Sequence, residues 1–200
     1  SNNVKPEINN DRRRFMLTAA SVAGAVWIAP AAMSSASTSA STDTNAGSDE
    51  RDLKLATLDD ALSELAAPVQ NGEPASSATW NWAQTLTHCA HSIEFSLAGF
   101  PQPKPELFQR TIGAAAYEVF AWRGRMTHDL AEPIPGAPSL EGVVDAAAAE
   151  IRLRASIAAF QQWQGELRPH FAYGELSREE YELAHAMHLA SHFALFHARV

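Results

Sequence analysis

Histidine is the residue type best placed to do chemistry in this chain, and its eight copies are unevenly spread. His185, His188 and His192 fall in the stretch Ser177 to Val200. At about 100° per residue they share an arc of roughly 60° on one helical face. His188 and His192 are an i, i+4 pair, so their imidazoles can converge on one point, as metal-binding pairs do. The spacing is that of the HExxH zinc helix, but Leu189 stands where that motif has its glutamate base. The pattern is therefore HxxxH with no built-in general base. His88, on an earlier helix, supplies a third imidazole. Three imidazoles with one open position suit Zn²⁺, Ni²⁺ or Fe²⁺ and leave room for a water or a small-molecule substrate.

Other residues fall into place around that trio. His91 and His185 read as pocket groups or as partners fixing a ligand's distal nitrogen. His170 sits in the loop Pro169 to Gly174, from which it can reach over the site as a partner of the ligands or, in the favoured role, pin the loop. Glu94, Glu182, Tyr173 and Tyr181 are candidate proton-transfer groups. His128 and His197 have no special context. The competing reading is a set of packed, hydrogen-bonded imidazoles with no metal. Several neutral imidazoles on one buried face need several partners, however, and one shared cation answers for all of them.

Helices must carry these residues. Ser177 and Glu180 form a capping box at the start of the HxxxH helix. From Leu183 to Ala198 that helix has no Lys, Arg, Asp or Glu, so it is predicted to be buried on most sides. The His88 helix is predicted over 79–98, ending at Gly99 before Pro101, Pro103 and Pro105. Trp82, Leu86, Cys89, Ile93 and Leu97 form its apolar stripe, with His88, His91 and Phe95 on another side. A further helix starts near Pro105, with the stripe Phe108, Ile112, Ala115, Val119 and Trp122. Another is capped by Ser139, with the stripe Val144, Ala148, Ile151, Ala155 and Ala158. A shorter first helix carries Leu58, Ala61, Leu62 and Leu65 ahead of Pro68, and 70–78 reads as a loop. No segment alternates like a strand. The fold class is all-α, four substantial helices with an additional short N-terminal one.

The hydrophobic share of 46% supports one domain, placed at residues 53–200. A net charge of −8 argues against nucleic acid or an anionic membrane surface as partner. The lone Cys89 excludes an internal disulfide. Asp11-Arg12-Arg13-Arg14-Phe15-Met16-Leu17 resembles a twin-arginine export signal. An Ala-rich run to Ile28 follows, with a small-x-small cleavage site at Ala29-Pro30-Ala31. Residues 1–32 are thus read as a signal engaging the Tat export machinery, and 33–52, rich in Ser, Thr and Ala, as a disordered linker. The domain is expected to be exported to the periplasm, by a route that carries folded, cofactor-loaded proteins.

From Trp80 to Phe193 the chain also resembles the DUF1569 family, a branch of the DinB/YfiT-like superfamily of metalloenzymes. The resemblance rests on Leu86 to Glu94 (LTHCAHSIE), Gly99-Phe100-Pro101, Leu107-Phe108-Gln109, Pro133 to Pro138, Pro169 to Gly174, and Tyr181 to His192. It implies a DinB-like four-helix bundle, with a divalent ion held by one histidine of the second bundle helix and the HxxxH pair of the last. By position these are His88, His188 and His192. Superfamily members transfer thiols, isomerise or hydrolyse, and often pair as homodimers. The implied function is an exported metal-dependent enzyme acting on a small molecule. The alternative is a noncatalytic metal- or ligand-binding module of the cell envelope.

Overall fold

Residues 50–66 and 78–196 are described by the structure, a computed structural model. The expected signal, its cleavage site, the linker up to residue 49, most of the loop at 70–78 and His197 lie outside them. Arg51, near the start of the described residues, pairs with Glu64, and its guanidinium donates to the Phe193 carbonyl.

The described residues are helical, with no strand among them beyond an isolated bridge between His170 and Gly174. α1 spans Leu58–Ala66 and buries Leu58, Ala61 and Leu65. α2 spans Trp82–Ala98. Its capping box joins Asn81 to Gln84, and Gly99 ends it at φ 111°, a conformation that glycine tolerates and side chains resist. Almost the whole middle of α2 is buried, from Thr85 to Ile93. It is the central helix. α3 (Glu106–Phe108) runs through a π-helical turn, Gln109–Gly113, into α4 (Ala114–Arg123). α5 spans Ala146–Gln162 and α6 spans Arg178–Phe193. The Ser177–Glu180 capping box predicted for α6 is present, and the helix buries residues on most of its circumference. No helix among the described residues is long and apolar enough to cross a membrane.

α2 packs on α5 and α6, while α6 also receives α1 and α4. The core is assembled from Leu86, Cys89 and Ile93 of α2, Leu153, Ile157 and Phe160 of α5, and Tyr181, Met187, Leu189 and Phe193 of α6. Each such large apolar side chain contributes about 1.5–3 kcal/mol when fully withdrawn from water.

Two predicted stripes are corrected. Ile112, Val119 and Trp122 face outward, with Trp122 86% exposed, whereas Tyr117 is 3% exposed and reaches the Glu180 carbonyl. The π turn delays the helix by roughly one residue's worth of rotation, which brings Tyr117 and Phe120 inward instead. Gly113 closes that turn because a Cβ there would overlap the Ala172 carbonyl oxygen. On α5, the cap is Asp145, whose carboxylate accepts from the Ala148 amide; Ser139 accepts only from the Glu141 amide in a local turn. Ala149, Leu153, Ser156, Ile157 and Phe160 form the buried face, leaving Val144 and Ile151 exposed. The face with the larger side chains has more apolar area to remove from water, and it prevails over the alanine-rich one.

Candidate metal centre

α2 brings His88, and α6 brings His188 and His192, to one place in the core. Their ring centroids form a nearly equilateral triangle, with separations of 5.0, 4.7 and 4.8 Å. One ligand nitrogen from each ring lies within 4.8 Å of the other two. The Nε2 atoms of His88 and His188 are 3.0 Å apart. Bonds of about 2.0–2.1 Å to one cation place two imidazole nitrogens roughly 2.9–3.4 Å apart, so this separation fits shared coordination. Trp80, just ahead of α2, walls the site. Its ring lies 4.6 Å from that of His88 and stacks on His192 at 5.7 Å.

The surroundings keep these rings neutral, as ligands must be. Burial, then repulsion from His128 and His91, pushes His88 down to about 3. Burial first, and then the neighbouring imidazoles, holds His188 and His192 well below the usual histidine range. The Nδ1 of His88 is buried with no hydrogen-bond partner among the described residues. The other nitrogen, Nε2, faces His188, and with His192 three imidazole nitrogens converge so that one cation can accept all three lone pairs.

A fourth imidazole stands beside the trio. His128 Nε2 lies 3.2 Å from His192 Nε2, and the His128 ring is 5.1 and 5.2 Å from those of His188 and His192. Sequence reasoning passed over it because it belongs to no helix and has no periodic partner. Only its pairing with Asp129 in a connection bounded by Gly124 and Pro133 set it apart.

The remaining candidates lie at stated places. His185 points at α2, its Nε2 being 3.2 Å from the Ser96 hydroxyl; that hydroxyl donates to the Ile93 carbonyl, so His185 is the donor. Burial takes His185 down to about 3. His91 stacks on Phe95, and its imidazole is lowered by burial and by Arg152, with Glu94 acting the other way. His170 Nδ1 accepts from the Ala172 and Tyr173 amides and its ring lies flat on Tyr173 at 4.2 Å, which closes the loop on itself. Tyr173 meets His170, Tyr117 and Phe120, and burial raises its hydroxyl to about 12. Glu94 is engaged elsewhere: Arg152 grips both carboxylate oxygens at 2.8 and 2.6 Å, and the Ser156 hydroxyl donates to one at 2.9 Å. Burial opposes its ionisation, but those bonds and the Arg152 charge outweigh it and keep the carboxyl below its usual range. Glu182 lies near the Leu58 amide, and the Tyr181 hydroxyl donates to the Arg168 carbonyl.

The model of a protein family of unknown function, DUF1569, matches residues 47–199. The chain belongs to the DUF1569 family. That match spans all four imidazoles of the cluster. No curated protein and no solved structure gives a significant match.

Proposed function

We propose that this DUF1569 chain is an exported, metal-dependent enzyme of the DinB-like superfamily, acting on a small molecule by thiol transfer or hydrolysis. The observation that carries the reading is the triangle of His88, His188 and His192, each ring held neutral in the core. When bound there, a divalent ion such as Zn²⁺, Ni²⁺ or Fe²⁺ would supply Lewis acidity toward a water or a thiol. The chain's own contribution is to present three lone pairs at fixed separation and, through Trp80, to cover the His88 and His192 side of the cluster. The Arg12-Arg13 pair and the apolar run after it support export, and the helical fold with its HxxxH pair supports the superfamily reading, from which a homodimer follows by resemblance only.

The deciding experiment is elemental analysis of the folded protein, with anomalous scattering to place the ion. One equivalent of metal between α2 and α6, lost in His88→Ala and His192→Ala while the helical content stays, is expected. Metal retained in both variants overturns the centre. For export, replacing Arg12 and Arg13 by lysine is expected to leave the chain in the cytoplasm; unchanged export defeats that part.

A second reading, a noncatalytic metal-binding module of the envelope, draws on two observations. Glu94 is locked onto α5, away from service as a base, and His128 stands against His192. A centre closed by four protein ligands that no water or added small molecule joins or displaces, seen by X-ray absorption, favours it.

A further inference from the structure

We infer that His128 supplies the fourth imidazole of this metal centre, an assignment that rests on the trio being one. The ring spacings that bind the trio together, 4.7 to 5.0 Å, are nearly matched by the 5.1 and 5.2 Å from His128 to His188 and His192. The Nε2 atoms of His128 and His192 are separated by 3.2 Å, inside the range of two nitrogens on one ion.

The connection after α4 is built to put the ring there. Gly124 ends α4 in the left-handed region at φ 63°, and the Gly124 and Arg125 amides are taken by the Ala121 and Phe120 carbonyls. The chain is thereby turned toward α6. Ser191, the residue before His192, donates its hydroxyl to the Met126 carbonyl at 3.2 Å. Met126 packs on the main core, and Leu130 packs against Leu195 and Phe196 just beyond α6. The Asp129 carboxylate accepts from the Ala131 amide and closes a turn between them. His128 is thus clamped between two apolar anchors, with its ring directed at the cluster.

A single N–H···N bond to His192 is the competing explanation, and it accounts for one neighbour of the His128 ring but not for its approach to His188 at 5.1 Å. Four nitrogen donors also narrow the ion. A closed set of four imidazoles suits tetrahedral Zn²⁺, or Co²⁺ in its place, over ions that prefer six ligands. An incoming molecule would then reach the metal by exchanging with His128 or by expanding the coordination to five.

Cobalt(II) titration of the whole chain tests this, with His128→Ala and His128→Gln as variants and circular dichroism as the folding check. The wild type is expected to take one Co²⁺ with the intense visible absorption of a four-coordinate site. X-ray absorption should count four imidazoles. Both variants are expected to bind at least about tenfold more weakly, to show three imidazoles, and to regain the wild-type spectrum when free imidazole is added. Loss of affinity alone would also follow from removing a group that merely orients a ligand. The imidazole count and the spectral recovery separate the two. Variants that keep the wild-type spectrum and affinity overturn the His128 assignment and leave the trio standing. A wild type that takes up neither Co²⁺ nor Zn²⁺ overturns both.

Discussion

His88 and His188 stand 100 residues apart in the chain and 3.0 Å apart at their Nε2 atoms. Two imidazoles so close, one buried and one half-buried, cannot both be protonated, since withdrawal from water and mutual repulsion both disfavour the charged form. Neutral pairs of this kind either share a proton or share a cation. With His192 completing the triangle, three ring nitrogens lie within 4.8 Å of one another, and a single cation accounts for all three together.

Metal binding should therefore be felt as stability. At free Zn²⁺ 100-fold above its dissociation constant, the folded state gains about 2.7 kcal/mol. Thermal unfolding followed by circular dichroism is expected to shift up with Zn²⁺ and down with a chelator. In His88→Ala the same titration should leave the midpoint where it is. A wild-type midpoint indifferent to both reagents would count against the centre.

Acid should unfold the domain. Buried His170 and His185 are pushed down to about 3, so between that pH and 6.5 the unfolded chain binds protons that the folded one refuses. The sign is fixed: stability is fully present above 6.5 and falls with pH through this window. Each such imidazole removes about 1.4 kcal/mol per pH unit. Against a total of about 5–15 kcal/mol, a few of them suffice to unfold the domain at roughly pH 4–5. Urea titrations at a series of pH values check this, and a midpoint level from pH 7 to pH 4 contradicts it.

Glu94 offers a cleaner division between structure and chemistry. Its bidentate bond to Arg152 staples α2 to α5 on a partly exposed flank. Arg152→Ala should cost only about 0.5–1 kcal/mol, because solvent screens the pair. Metal affinity, read by competition with a chromophoric chelator, is expected to stay unchanged. A tenfold loss would mean that Glu94 acts on the imidazoles after all.

The helical class, the Ser177 cap, the α2 stripe and the convergence of His88 with His188 and His192 were all legible in periodicity and spacing. What was not legible depended on contacts between distant segments. The outward turn of Ile112 and Trp122 follows from a π turn and from the closeness of Gly113 to the Ala172 carbonyl, neither of which leaves a periodic trace. The α5 face was ambiguous because alanines make both sides of that helix apolar. His128 was hidden for a different reason. A residue in an irregular connection is positioned by its anchors, here Met126 and Leu130, and those are recognisable only once α6 is beneath them.

Gly113 should tolerate nothing larger. Its backbone is ordinary for a helix, so the obstacle is contact and not conformation: a Cβ would press on the Ala172 carbonyl in the turn that His170 closes. Gly113→Ala is expected to lower stability by about 1–3 kcal/mol, the usual cost of overpacking. Chemical denaturation measures it, and a neutral result would place that turn farther from α4.

The register of α4 can be tested by a pair of substitutions. Trp122, though the largest apolar residue of its stripe, lies 86% exposed, so Trp122→Ser should change unfolding free energy by no more than about 0.5 kcal/mol. Tyr117 packs against Tyr173 and reaches the Glu180 carbonyl. Tyr117→Ala leaves a cavity there and should cost about 3–5 kcal/mol, as large aromatic deletions do. The reverse ranking, with Trp122 the costlier loss, is what the 4, 3, 4, 3 stripe read as a core face would require. Measuring both in one urea series decides which face of the helix the π turn delivers to the core.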